Sequence, residues 1–157
     1  MKVIGIDPGI ERLGWGVVEK TSKGARRISS GVKKTFKTSS DGTRLYEIHE
    51  FLDGLFKKER PDLVSVEKIF FSKNVKTALI IGGVRGIILA LSAKHGIRVR
   101  EFTPLEVKMG LTGYGRAGKE NVAQMVRLSI EAAPTKMLDD ESDALAVALC
   151  GVYSRQT

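Results

Sequence analysis

Val3-Ile4-Gly5-Ile6-Asp7-Pro8-Gly9 is the stretch on which the reading of the fold turns. Its apolar run suits a strand covered on both faces, and Asp-Pro-Gly ends that strand without beginning a helix. Working outward, residues 13–19 and 27–35 are β-rich and are parted by the turn Ser22-Lys23-Gly24, so strands one to three are expected as antiparallel neighbours. From 43 to 59 the period changes. Leu45, Ile48, Leu52 and Leu55 fall at i, i+3, i+7 and i+10, the stripe of a helix that Pro61-Asp62 ends. Beyond it come a strand 63–67, a loop 70–74, a long helix 75–94, a strand 97–102 and a short helix 104–109. A glycine-rich loop 111–118, a helix 119–132 and a last helix from 139 or 140 towards 152 complete the order. This pattern predicts an α/β fold with one mixed sheet, the three hairpin strands plus two more, and helices on both faces.

The 157 residues fit one domain, 1–157, long enough to bury a core. With 42% hydrophobic and 28% charged residues, the composition is that of a globular chain and excludes disorder. The 26 Lys and Arg against 18 Asp and Glu leave a net charge of +8, which predicts a polyanionic partner, nucleic acid ahead of an anionic membrane surface. Cys150, alone, forms neither an internal disulfide nor a thiolate zinc cluster, which fits a reducing cytoplasm. Asp7 interrupts the N-terminal apolar run and Arg85 the longest one, 78–93, so neither a signal peptide nor a membrane span is expected.

The acids fall at telling places. Asp7 and Glu67 each end an expected strand, and neighbouring strands would bring them to one edge of the sheet. Asp140 and Asp143, three apart at a helix start, share a face. Singly each has a structural explanation: a turn, a solvated strand end, or a cap with an acid favoured by the helix dipole. Together they would repel unless a cation lay among them, and hard divalent ions such as Mg²⁺ take such oxygen donors. Two such ions ~3.5–4 Å apart activate water and stabilise the leaving oxygen in phosphodiester hydrolysis.

With these blocks in view, the chain resembles the RuvC-type Holliday-junction resolvases, of ribonuclease-H-like fold, over nearly its whole length. The resemblance rests on Gly5-Ile6-Asp7-Pro8-Gly9 with Gly14 and Gly16, and on Val66-Glu67 followed by Phe70-Phe71 and Lys73-Asn74. It continues through 82–86 with Arg85 inside, 104–108, Gly113-Tyr114-Gly115-Arg116-Ala117-Gly118-Lys119, and Asp140 with Asp143-Ala144-Leu145-Ala146. It implies that Asp7, Glu67, Asp140 and Asp143 are the catalytic carboxylates and hold two Mg²⁺ or Mn²⁺ ions. The family's spacing, an acid, two residues, then Asp-Ala-Leu-Ala, selects Asp140 over Asp139. It implies DNA contacts at Phe70, stacked on an unpaired base at the junction centre, and at Lys73, Asn74, Lys108, Arg116 and Lys119. The activity implied is symmetric paired cutting of four-way junction DNA, leaving 5′-phosphate and 3′-hydroxyl ends, by a homodimer that works with a branch-migration motor in recombination and repair.

Gly82, Gly83 and Gly86 each cost a helix ~1 kcal/mol relative to Ala, so a close neighbour is expected there, either a second copy of the chain or its own sheet. Two other patterns are decoys. Gly113, Gly115 and Gly118 spell a dinucleotide fingerprint, and 113–119 the first seven places of a P-loop. The first lacks a preceding strand; the second has Glu120 where Ser or Thr must ligate Mg²⁺, so no nucleotide cofactor is expected. His49, His95 and Trp15 read as structural or solvated, and Phe71 as core. A ribonuclease-H-like nuclease for RNA precursors would share Asp7 and the final Asp pair but lack the Phe70 loop. A sugar-kinase-type ATPase needs two such domains, and a non-catalytic junction binder would have lost an acid.

Overall fold

A computed structural model describes residues 1–68 and 75–154. Phe70, Phe71, Lys73 and Asn74 lie outside the described residues. The elements run β1 (Lys2–Asp7), β2 (Arg12–Thr21), β3 (Gly24–Lys34), α1 (Asp41–Glu59), β4 (Leu63–Glu67), α2 (Val75–Lys94), β5 (Arg98–Phe102), α3 (Pro104–Thr112), α4 (Lys119–Ser129), β6 (Ile130–Glu131) and α5 (Asp139–Tyr153). They form one sheet in the order β5-β4-β1-β2-β3-β6. As the hairpin reading expects, β2 is antiparallel to both β1 and β3, whereas β4 and β5 run parallel to β1.

Strand periodicity assigns the two faces. Ile4, Ile6, Leu13, Val17, Val64 and Val66 point to one side and pack on Ile48, Leu52 and Phe56 of α1 and Val84, Ile88 and Leu91 of α2. Val3, Val18 and Leu63 point to the other, in a second cluster with Val107, Val122, Val126 and the apolar run of α5. On that second face Gly5, Gly14 and Gly16 leave no side chain between sheet and helix. A Cβ built on Gly5 would stand 2.6 Å from the Ala148 amide nitrogen, one on Gly16 2.6 Å from Leu145 Cδ2, and one on Gly14 would overlap the Asp140 carbonyl oxygen. Helix α5 therefore lies backbone-close on β1 and β2, and it is buried from Ala144 to Val152.

One expectation is corrected. The helix expected over 119–132 stops at Ser129. Ile130, buried in the core, and Glu131 form a sixth strand parallel to Ala25 and Arg26 of β3, and Ala132 at φ 62° turns the chain away. The glycines of α2 do not act alike. A Cβ on Gly83 would meet Leu45 of α1 at 3.5 Å, ordinary van der Waals distance, whereas one on Gly82 or Gly86 would meet no described residue within 4 Å. These two lie four residues apart, on a face shared with the exposed Val75 and Leu79. By length and composition α2 is apolar enough to cross a membrane. Here its Ala78, Val84, Ile88 and Leu91 are buried, and Arg85 in its middle pairs with Glu101 of β5 at 2.5 and 2.9 Å. Trp15 packs its ring 5.7 Å from that of Phe51, the structural role expected of it.

The glycine contacts generate a paired test. Gly5→Ala forces α5 off the sheet and should cost ~1–3 kcal/mol, lowering Tm by about 3–10 °C for a chain of this length. Gly54→Ala, within α1 where a Cβ would meet no described residue within 4 Å, should leave Tm equal or slightly higher. Thermal unfolding of both variants checks this, and equal losses would overturn the assignment of the two glycines.

Candidate active site

Asp7 is the last residue of β1 and pairs in register with Gly14, directly beneath the first turn of α5. The β1–β4 register runs to Ile6 opposite Val66, so Asp7 and Glu67 follow one step further on adjacent parallel strands. Their carboxyl groups act on each other's ionisation. Because α5 seats on Gly14 through the Asp140 backbone, Asp140 and Asp143 descend to the same place. All four carboxylates are partly buried, while Asp139 is exposed. Among the charges that act on Asp7 are those of Glu67, Asp143 and Asp140. At Asp143 both Asp139 and Asp140 are felt.

This concentration of negative charge has a measurable signature. Burial first, and then the charges of Glu67, Asp143 and Asp140, push the Asp7 carboxyl up to about 7. Burial also raises Glu67, with Asp143 adding to it, and burial raises Asp143. Lys119, the first residue of α4, opposes the shift at Asp7, Glu67 and Asp143, and Lys108 of α3 opposes it at Glu67. The two lysines singled out in the sequence thus border the carboxylates, Lys119 on a helix start that has no side-chain cap. Arg116 is exposed in the turn between α3 and α4.

Four oxygen-donor groups that repel one another suit a hard divalent cation in kind and number. Yet among the described residues no three acidic, His or Cys side chains stand together in an arrangement that would itself enclose an ion. The reason is visible in their present partners. Asp140 Oδ2 is turned to Arg12, whose Nη2 lies 2.6 Å away. Beside them Glu141 Oε1 accepts from Ser30 Oγ at 2.5 Å, and Arg27 Nε donates to that same hydroxyl at 2.6 Å, tying the first turn of α5 to β3.

Sequence reasoning missed Arg12. Its pairing depends on where α5 crosses β2, and no local motif carries that. His49 pairs with its neighbour Glu50, and His95 with Asp53 at 2.7 Å, both away from the carboxylates. Burial pushes the Cys150 thiol up to about 11, leaving it inert at neutral pH.

A mixed sheet of this order, with carboxylates gathered from β1, β4 and α5 at one end, defines a ribonuclease-H-like nuclease. A family model described as crossover junction endodeoxyribonuclease RuvC matches residues 3–151. The RuvC protein of Caldanaerobacter subterraneus subsp. tengcongensis is 44% identical over 98% of this chain and 93% of its own length. The solved structure of Thermus thermophilus RuvC is similar at a TM-score of 0.85 and 38% identity, covering 95% of this chain and 92% of that one. The same enzyme in complex with a Holliday junction substrate gives 0.89 at 37% identity over 95% and 91%. The chain belongs to the RuvC family of crossover junction endodeoxyribonucleases, metal-dependent nucleases that resolve Holliday junctions.

The raised Asp7 makes the stability of the metal-free protein depend on pH. Between about 4 and 7 the native state keeps a proton that the unfolded chain has released, so stability falls as pH rises through that window and stays low above it. Asp7→Asn removes the charge. In EDTA it should raise Tm by about 3–6 °C at pH 8 and hardly at all at pH 4. A gain of the same size at both pH values would rule out ionisation of Asp7 as its source.

Proposed function

We propose that residues 1–157 act as one nuclease domain and, as a homodimer in the cytoplasm, cut two like-polarity strands of a four-way DNA junction symmetrically. The ions proposed are Mg²⁺ or Mn²⁺, two per site, held by Asp7, Glu67, Asp140 and Asp143. The observation that carries the reading is the convergence of these carboxylates, with Asp7 pushed up to about 7, beside Lys119 and Lys108. Bound divalent cations supply Lewis-acid charge that lowers the pKa of an attacking water and offsets charge on the leaving 3′ oxygen.

The chain's own groups do the remaining work. Lys119 and the uncapped first amides of α4 offer positive charge to a phosphate oxygen, and Lys108 borders the same edge from α3. Arg116, Lys73 and Asn74 are assigned to the phosphate chain, where contacts position the strand without reading bases. Phe70 is assigned to stacking on an unpaired base at the junction centre. Two sites are needed for two cuts, which a two-fold dimer supplies. The α2 face bearing Val75, Leu79, Gly82 and Gly86, apolar and open in one protomer, supports a helix-to-helix interface there. A branch-migration motor is the assigned further partner.

Cleavage of a synthetic four-way junction, compared with duplex DNA and with structured RNA, tests the substrate. Junction-selective cutting is expected, and preferential cutting of RNA would favour an RNA-processing role instead. Asp140→Asn should slow cleavage by at least about 100-fold with junction binding retained, and Asp139→Asn by no more than a few-fold. The reverse order in single-turnover rates would reassign the ligand. Leu79→Glu should convert the dimer to a folded monomer in sedimentation equilibrium, and a dimer that persists would move the interface elsewhere.

A further inference from the structure

Arg12 opens β2, and Asp140 lies in the first turn of α5. Arg12 Nη2 stands 2.6 Å from Asp140 Oδ2, with the side chains 42% and 26% exposed. That oxygen is otherwise buried and has no aligned hydrogen-bond donor, so the guanidinium meets it by charge at a skewed angle and not as a fork. Asp140 is the fixed member, because its backbone rests on Gly14 with no room for a Cβ between them. Arg12 is the member free to swing, on a long side chain at the very start of a strand. It faces Lys34 across the β2–β3 register, so these two cationic side chains share one face at the carboxylate end of the sheet, whereas Lys33 turns to the other face and pairs with Glu47, and Lys37 pairs with Glu11.

A divalent cation and a guanidinium of like charge cannot share one carboxylate oxygen without repulsion. A phosphate laid against Arg12 and Lys34 gives Arg12 a second anion to bind. We propose that Arg12 is a counter-charge released by substrate: it occupies Asp140 while the protein is free of DNA and moves to a phosphate when a strand binds, freeing Asp140 for metal. The inference rests on Asp140 being a metal ligand. It makes metal and DNA binding reciprocal, each tightening the other by one shared factor. It also keeps the acid cluster from being fully armed when no junction is bound.

The test measures Mn²⁺ binding by the full chain, from the paramagnetic signal of the free ion, with and without a junction already nicked at both cutting positions. Mn²⁺ held by the DNA alone is subtracted. Without DNA, Arg12→Gln should bind Mn²⁺ about 2- to 10-fold more tightly than wild type, the range expected for losing a partly exposed ion pair. The nicked junction should tighten Mn²⁺ binding by wild type by a similar factor and by Arg12→Gln hardly at all, with Arg12→Lys between. If Arg12→Gln binds Mn²⁺ equally or more weakly without DNA, Arg12 is a static prop for Asp140 and the proposal falls. Asp140→Asn separates the two layers: if it leaves wild-type Mn²⁺ affinity unchanged, the ligand assignment itself fails.

Discussion

Everything at the carboxylate end of this sheet depends on how closely a helix backbone approaches two strands. Side chains ordinarily hold a helix about 10 Å from a sheet, and at that distance the acids of α5 would hang above Asp7 without reaching its neighbourhood. Gly5, Gly14 and Gly16 remove the spacer, so that Ala144, Ala148 and the Asp140 carbonyl lie against bare strand backbone. The helix answers with small residues of its own: Gly151 is placed where a Cβ would meet Val3 at 2.9 Å and Leu63 at 3.1 Å. Close packing and chemistry are therefore one constraint. The fit that seals the core along α5 also delivers two aspartates to the ends of β1 and β4.

The electrostatic cost of that delivery shapes the free protein. Burial and its neighbours push one carboxyl up to about 7, burial raises two others, and a fourth leans on an arginine. Lys119 and Lys108 relieve the remainder without closing the site. Such an arrangement is strained in charge while relaxed in backbone, which is what an electrostatically preorganised centre requires: dipoles and charges set in place before the reacting group arrives.

The sheet was largely legible in the sequence because its decisive strand, β1, is both apolar throughout and stopped by Asp-Pro-Gly, and because α1 shows a clean helical stripe. β6 was not, since two residues display no period and only the burial of Ile130 reveals them. The preference for Asp140 over Asp139 came from a family spacing; the structure adds that Asp140 is the more buried of the two, while both act on Asp143. Gly82, Gly83 and Gly86 looked equivalent as costly residues in one helix. At about 100° per residue Gly83 turns towards Leu45 while the other two share an open face. Arg12 stayed silent because its partner lies at the far end of the chain and is set by the crossing of α5 over β2. Charge gave the class of partner early, whereas the pairing of individual charges had to wait for the fold.

The clasp of Arg27, Ser30 and Glu141 has a further meaning for how the molecule tolerates change. A helix shifted by one residue rotates by about 100°, enough to carry both aspartates to the wrong side. With Glu141 anchored to β3 and the glycine seat holding the same turn from below, the rotational phase of α5 is fixed from two sides. Within the connection that leads into the helix, Ala133 and Met137 pack against the same core and hold its entry from a third side.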